Sequence, residues 1–229
     1  MLEVLFDEES INKKFNITLA ERPELTVAKE RYLVYEVPGR NGNLTVFDGY
    51  DNVPLTLHFN FIDDDVRATF REMNNWLIGK KKVRLSDTEM YRNITQSVLT
   101  VNAANNDIKE WCDFELEIIT DPFEYEDAGI EEVTSEAIID NPSKVDAETS
   151  IKVYGEGTCR VLLNDNQMIF KDVKEYVVVD GMIKKAHKLM SSKDNDMQGR
   201  YPVLKSGENK ISIDGQTTKI EVSKRWCWR

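Results

Sequence analysis

Histidine is the side chain that most often acts as a general acid or base near neutral pH, and this chain has two histidines. His58 lies on the polar face of the predicted strand VPLTLHFNF, and His187 lies in the lysine-rich segment KKAHK. Neither is close to a serine or cysteine in a nucleophile elbow, and no G-x-S-x-G, H-E-x-x-H or Walker loop occurs. The sequence predicts no catalytic residues and favours a protein that is not an enzyme.

Carboxylates are the second potential source of chemistry, because the chain has 41 Asp and Glu residues. A glycosidase needs only one pair of carboxylates at the right separation, so their number alone indicates nothing. A cell-wall hydrolase has no other support in the sequence, and most of these groups are expected to be solvated surface acids.

Asp194 and Asp196 flank Asn195 in a polar segment that resembles the start of a calcium loop. An EF-hand loop needs Gly at its sixth position and Glu at its twelfth. Counting from Asp194, Gly199 is in the sixth position, but Lys205 is in the twelfth. The segment is predicted to be a polar loop, and neither a metal nor another cofactor is predicted.

The three cysteines are Cys112, Cys159 and Cys227. Their number is odd, and their spacing matches no metal or redox motif. We expect reduced thiols that are mostly packed inside the fold.

The C-terminal segment RWCWR places Trp226 and Trp228 on one side of a predicted strand. Exposed tryptophans bind sugar rings, or they become buried at protein interfaces. Core or interface packing is the first interpretation, and a sugar-binding platform formed by the two residues is the alternative.

The chain is acidic, with a formal net charge of −11 and a pI of about 4.8. Tight binding of nucleic acid needs clustered Lys and Arg, so this chain is a poor candidate for a nucleic-acid clamp. It can still surround DNA without adhering to it, because like charges repel. We expect neither a signal peptide nor a membrane span, since no basic segment precedes an apolar run and no run approaches ~20 apolar residues.

Two patterns define the secondary structure of the N-terminal half. The segment VPLTLHFNF alternates apolar and polar residues, which indicates a half-buried strand. The segment DDDVRATFREMNNWLIGKKK predicts the only long helix, over about residues 63–78, with Asp63 or Asp64 as its cap and Gly79 after its end. Its apolar stripe has spacings of four, three and four and consists of Val66, Phe70, Met73 and Leu77.

Residues 32–52, YLVYEVPGRNGNLTVFDGYDN, combine aromatic and β-branched residues with turn-forming dipeptides. Pro38-Gly39 and Asn41-Gly42 are strong turn signals. The pattern predicts a β arm with strands at 31–37 and 44–47. Such an arm can hold a ligand, cover a site or reach a neighbouring subunit, and the pattern leaves all three open.

Two domains are predicted. The first, over residues 1–140, is a β-rich α+β domain with short strands at 2–6 and 15–19. It also contains a long hairpin whose strands at 93–102 and 110–119 are joined by a polar loop at 103–107. An acidic segment at 121–147 leads into the junction at 140–146. Short strands at regular spacing then predict a β-sandwich over residues 141–229.

Four segments together resemble the distal tail protein, Dit, of tailed phages and prophages of Gram-positive bacteria. They are VPGRNGNL, NNWLIGKKKVRLSD, the stretch from IKVYGEG to MQGRYPVLKSGENKISIDG, and the closing TTKIEVSKRW. The resemblance covers nearly the whole chain. Its most specific piece consists of Gly199, Pro202, Leu204, Gly207, Asn209 and Ile211.

The resemblance implies a mainly β structure, with an N-terminal ring-forming domain that carries one helix and a galectin-like C-terminal β-sandwich. It implies a structural virion protein of the phage tail tip, made in the host cytoplasm. Six copies would form a hub ring that joins the tail tube protein to the baseplate or tail-tip (Tal) protein, with a receptor-binding protein as a further partner. DNA would pass through the ring without specific binding.

The resemblance also assigns the arm to the interface with the adjacent protomer. The residues so assigned are Tyr35, Val37, Pro38, Gly39, Arg40, Asn41 and Gly42. Longer family members carry an inserted domain in the C-terminal half that this chain lacks, which weakens the case for a receptor-binding role. The alternative function is a carbohydrate-binding module that contacts host cell-surface glycans.

Overall fold

The computed structural model describes every residue except Leu25, Asp64 and residues 102–111. The predicted loop at 103–107 and the alternative cap Asp64 therefore lie outside the described residues. The chain divides into two compact units, the first comprising Met1–Glu124 with Arg229 and the second Tyr125–Trp228.

The first unit contains nine strands and two helices among its described residues. Their bounds are β1 (Val4–Phe6), β2 (Glu9–Ser10), α1 (Ile11–Phe15), β3 (Thr18–Leu19), β4 (Glu30–Tyr35), β5 (Leu44–Tyr50), β6 (Val53–Phe61), α2 (Val66–Leu77), β7 (Lys82–Leu85), β8 (Arg92–Val101) and β9 (Cys112–Thr120).

Seven of these strands form one antiparallel sheet in the order β2–β1–β7–β8–β9–β6–β3. The predicted strand β6 is confirmed, and it pairs with β9 along its whole length. Leu57, Phe59 and Phe61 on its apolar face are buried in the core of this unit. The two remaining strands, β4 and β5, pair with each other and with no other strand among the described residues.

The predicted long helix is confirmed as α2, but its cap is Asp65, whose carboxylate accepts a hydrogen bond from the Ala68 amide at 3.0 Å. Asp63 has a different role, because it accepts from the Asp65 amide and so fixes the turn that precedes the helix. Met73 and Leu77 on the apolar stripe are buried against the sheet.

The strand predicted at 15–19 is wrong in its first part, because Phe15 ends the short helix α1. Ser10 caps this helix by accepting from the Lys13 amide, and Asn16 ends it in the left-handed conformation. These two caps satisfy terminal backbone groups, which helps to stabilise a helix too short for an apolar stripe to reveal.

The second unit is built almost entirely from strands. Its elements are β10 (Glu124–Val133), β11 (Glu136–Asn141), β12 (Ala147–Glu148), β13 (Ser150–Leu163), β14 (Asn166–Asp180), β15 (Lys185–Lys188), β16 (Ser191–Ser192), a 3-10 turn (Asp194–Asp196), β17 (Met197–Gln198), β18 (Val203–Leu204) and β19 (Gly207–Trp228).

Eight of these strands form one sheet, in which β10–β19–β13–β14–β15–β16 is the main order, β11 also pairs with β19, and β17 with β14. The strands β12 and β18 form a separate pair. The sequence predicted short strands within 150–180 and 207–228, but the structure has three long strands there, β13, β14 and β19. Irregularities such as the register shift between Gly157 and Cys159 interrupt the alternation without ending the strand.

The acidic segment before residue 141 belongs to the second unit. β10 and β11 occupy much of it, and both pair with β19. The division at 124/125 therefore precedes the predicted junction at 140–146. The mainly β fold class is confirmed, and none of the described helices is long and apolar enough to cross a membrane.

Candidate functional site

The predicted arm is a two-stranded hairpin formed by β4 and β5. Every residue of β4 is exposed, and so are the first five residues of β5. An isolated two-stranded hairpin is only marginally stable in water, so this exposed hairpin is a candidate contact surface.

The hairpin has two faces, each carrying side chains from both strands. Residue pairs directly opposite each other share a face. One face, here called the leucine face, consists of Leu33, Tyr35, Leu44 and Val46. The other, here called the phenylalanine face, consists of Tyr32, Val34, Thr45 and Phe47. The apolar side chains on the two faces are between 39% and 57% exposed.

The tip begins with a tight turn that the sequence predicts well. The Arg40 amide donates a hydrogen bond to the Val37 carbonyl at 3.1 Å, with Pro38 and Gly39 between them. Proline suits the first central position of a type II turn, and the second requires a positive φ, which is +81° at Gly39. The chain therefore reverses at a polar tip that follows an apolar strand.

The base of the hairpin is fixed by a β-bulge. Arg31 is opposite Gly49 and Tyr32 is opposite Phe47, so Asp48 is an extra residue on β5. The Arg31 guanidinium donates to the Asp48 carboxylate at 2.9 Å and to the Asp48 carbonyl at 3.0 Å. A bulge bends and twists a hairpin, so this clamp sets the direction in which the arm leaves its base.

Each predicted interface residue lies in the hairpin. Tyr35 ends β4, and the six residues assigned between Val37 and Gly42 belong to the connection. All seven are exposed. Their role at an interface stays a prediction.

The first unit also contains a pocket of about 210 Å³ that the sequence analysis missed. Its apolar wall is formed by Val4, Leu55, Leu57, Val83, Leu85 and Met90, and its charged residues are Arg22, Arg84, Arg92 and Glu124. We call it the arginine-rimmed pocket. Its residues come from separate parts of the chain, so no local sequence pattern could have revealed it.

The three arginines of the pocket are each paired with one carboxylate. Arg92 contacts Glu124 at 3.1 Å, Arg84 contacts Glu8 at 3.1 Å, and Arg22 contacts Asp87 at 2.8 Å. The Nη1 atom of Arg92 is buried and has no hydrogen-bond partner among the described residues. Arg22 has the most exposed side chain of the three, at 58%.

The two C-terminal tryptophans do not form an open pair of rings. Trp226 is only 5% exposed, whereas Trp228 is half-buried and its buried Nε1 atom has no hydrogen-bond partner among the described residues. A sugar stacks on an accessible ring face, so the buried ring of Trp226 favours the packing interpretation for that residue.

The two histidines have different contact partners. The nitrogens of His58 are 3.8 Å from Glu21 and 3.6 Å from Glu115, and Nδ1 of His187 is 3.2 Å from the Leu189 carbonyl. In the described part of the chain, no group of three or more His, Cys, Asp or Glu side chains is arranged to hold a metal ion.

The polar loop around Asp194 is held by that carboxylate. Asp194 accepts hydrogen bonds from the Ala186 amide at 2.6 Å and from the Ser192 hydroxyl at 2.9 Å. The Ala186 hydrogen bond is the main reason that the pKa of Asp194 is lowered. The carboxylate therefore serves to close the loop onto the sheet.

Of the three cysteines, Cys159 and Cys227 are buried free thiols, while the side chain of Cys112 is outside the described part of the structure. Burial raises the pKa of Cys159.

No protein-family model and no curated protein sequence matches the chain. Solved structures that are similar to it over nearly the whole length of both chains include the following two. SPP1 Dit (gp 19.1), described as a paradigm of the hub adsorption apparatus in phages that infect Gram-positive bacteria, has a TM-score of 0.69 at 12% identity, covering 99% of each chain. The phage P2 baseplate, in its activated conformation with Ca, contains a chain with a TM-score of 0.54 at 10% identity, covering 99% of this chain and 98% of that one. The likeness confirms the predicted Dit-type fold.

Proposed function

We propose that this chain is a structural subunit of the distal hub of a phage tail. Six copies form a ring that joins the tail tube to the baseplate or tail-tip protein, and the protein is part of the virion. The exposed apolar hairpin carries this proposal, and the fold shared with SPP1 Dit, a hub protein of a phage, supports it.

The arm explains why such a protein would associate with itself. Full burial of one leucine, valine or phenylalanine side chain contributes about 1.5–3 kcal/mol, and the side chains of these types on the arm are roughly half exposed. Each of them therefore contributes about 1 kcal/mol on docking. When the arm of one copy meets a different surface of the next, the contact is heterologous. Repeated contacts of this kind form a ring when their rotations add up to a full turn, and an open filament when they do not.

The charge of the chain suits a ring around DNA. A net charge of −11 repels the phosphate backbone, so DNA passes such a ring without specific binding.

The test is the mass of the protein in solution, measured by light scattering over a concentration series. We expect assemblies of six 26.5-kDa chains, in equilibrium with monomer at low concentration. A variant without residues 37–43 should stay folded and monomeric, because the tip is exposed and lies outside the core.

The matched control is the double substitution Leu189→Ser and Met190→Ser, which removes exposed apolar side chains elsewhere in the chain. It should assemble like the unmodified protein. A ring of normal mass formed by the tip-deleted variant would contradict the role given to the arm, and an unmodified protein that stays monomeric throughout would contradict self-assembly through it.

A further inference from the structure

We propose that the arginine-rimmed pocket is the receiving surface for the arm of a second copy of this chain. The leucine face lies over the apolar wall, the Tyr35 ring enters the cavity, and the Glu36 carboxylate lies against Arg22. The inference depends on the proposed ring function and specifies which surface of the neighbour the arm occupies.

The first support is the fit between Tyr35 and the cavity. The pocket has a volume of about 210 Å³, and an apolar cavity of about 150 Å³ is large enough to bind a benzene ring. Tyr35 is 49% exposed, and its hydroxyl has no hydrogen-bond partner in the described part of the chain. The ring would meet apolar wall residues such as Leu55 and Leu57. Its hydroxyl, at the far end of the ring, would enter first and meet a charged lining residue such as Arg92, whose buried Nη1 atom has no hydrogen-bond partner among the described residues.

The second support is charge. Glu36 follows Tyr35 directly, is exposed, and forms no ion pair with any described residue. The pocket has three guanidinium groups and one carboxylate among its lining residues, and Glu8 and Asp87 pair with two of these arginines from outside the lining. Arg22 is the one whose side chain is most open to an incoming carboxylate, since it is 58% exposed beside its partner Asp87. A guanidinium has five N–H donors, so the unpaired acid on the arm can bind Arg22 beside Asp87.

The third support is that each first unit has one arm and one such pocket. In the described chain β4 and β5 pair with no other strand, and Tyr35 forms none of the ring contacts found there. Both surfaces of one copy are therefore available to two different neighbours. That is the arrangement required for a heterologous contact that closes into a ring.

The test uses the full chain with the photo-reactive residue p-benzoylphenylalanine in place of Tyr35. Copies labelled with ¹⁵N are mixed with unlabelled copies, irradiated and analysed by mass spectrometry. We expect cross-links between copies to the segments 82–92, 22–23 and 55–57, which contain all the pocket-lining residues except Val4 and Glu124. The matched control carries the same photo-reactive residue in place of Phe47 on the phenylalanine face, and its cross-links should fall outside those segments.

The outcomes separate this inference from the proposed function. Assemblies that form normally but cross-link from position 35 outside the pocket overturn the inference and leave the ring intact. Protein that neither assembles nor cross-links at any concentration overturns both. The inference is also overturned if position 35 cross-links to the pocket of its own copy and never to that of another copy.

A charge exchange tests the contact between Glu36 and Arg22. Glu36→Arg and Arg22→Glu should each weaken association by about tenfold, and the double variant should recover most of that loss. Single variants that associate normally would show that these two residues do not contact each other. A double variant that associates more weakly than either single variant would show the same.

Discussion

At the scale of single residues, Asn209 explains part of the motif on which the resemblance to Dit depends. Its side chain is fully buried and takes part in five hydrogen bonds, to Asn164, Ile139, Gly207 and both backbone groups of Lys205. In the same motif, a Cβ atom added to Gly199 would come within 2.3 Å of the Gln167 carbonyl oxygen. The sequence indicated that these residues belong together, but not that their role is structural, because partners such as Asn164 and Ile139 are distant in the chain.

Replacement of Asn209 should therefore be costly to stability. Asn209→Ala leaves several buried donors and acceptors unpaired, and each unpaired group costs about 1–3 kcal/mol. We expect the free energy of unfolding of the second unit to fall by at least about 2 kcal/mol, measured by urea denaturation. Asn195→Ala at an exposed position is the control and should change it by less than about 0.5 kcal/mol. Equal effects of the two substitutions would contradict this role of Asn209.

Asp194 gives the second prediction at this scale, because hydrogen bonds to its charged form lower its pKa. A carboxylate with a lowered pKa adds stability above its unfolded value of about 3.9 and loses that contribution as the pH falls through the lower folded value. We expect the Asp194 carboxyl carbon to titrate below pH ~3.9 in an NMR experiment. Asp194→Asn should remove this part of the acid dependence of unfolding. Titration of Asp194 at or above the unfolded value would refute the assignment.

At the scale of elements, the sequence predicted the alternating strand β6, the striped helix α2 and the arm, because each has a local period or turn signal. It divided β13 and β19 into shorter strands, because Gly155, Gly157 and Gly215 resemble turn residues. It also divided β14, which has no glycine. In the structure the three glycines lie in or beside irregular stretches of continuous strands. The sequence could not reveal that both faces of the arm are exposed, because exposure depends on how the other elements pack around it.

The clamp between Arg31 and Asp48 provides a test of the arm as an element. Arg31→Ala removes two hydrogen bonds at the bulge, so we expect faster amide hydrogen exchange in β4 and β5. Exchange in β6 and β9 should not change, because those strands belong to the core sheet. Arg40→Ala at the exposed tip is the control and should leave exchange in both strands as it was. Faster exchange throughout the first unit would mean that Arg31 supports the whole unit rather than the arm.

At the scale of the whole molecule, the sequence predicted two units but placed the junction later than the structure does. The acidic segment with Pro122 and Pro142 has the composition of a linker. Its strands β10 and β11 nevertheless pair with β19, which begins at Gly207. Local composition cannot reveal a pairing over such a distance. For the same reason, the arginine-rimmed pocket could be found only in the folded chain.

The division into units leads to a prediction about assembly, because the arm and the arginine-rimmed pocket both belong to the first unit. A fragment of residues 125–229 contains neither surface. We expect it to fold, since it has its own buried core and nearly all the pairing partners of its strands, and to sediment as a monomer at every concentration.

The full chain under the same conditions is the control and should form the larger species by sedimentation velocity. A fragment that assembles as strongly as the full chain would mean that the second unit drives association. The arm would then be free for a different molecule, such as the tail tube or tail-tip protein. A monomeric fragment beside an assembling full chain assigns the association to the first unit, where one protruding apolar element and one apolar cavity provide the two unlike surfaces that ring closure requires.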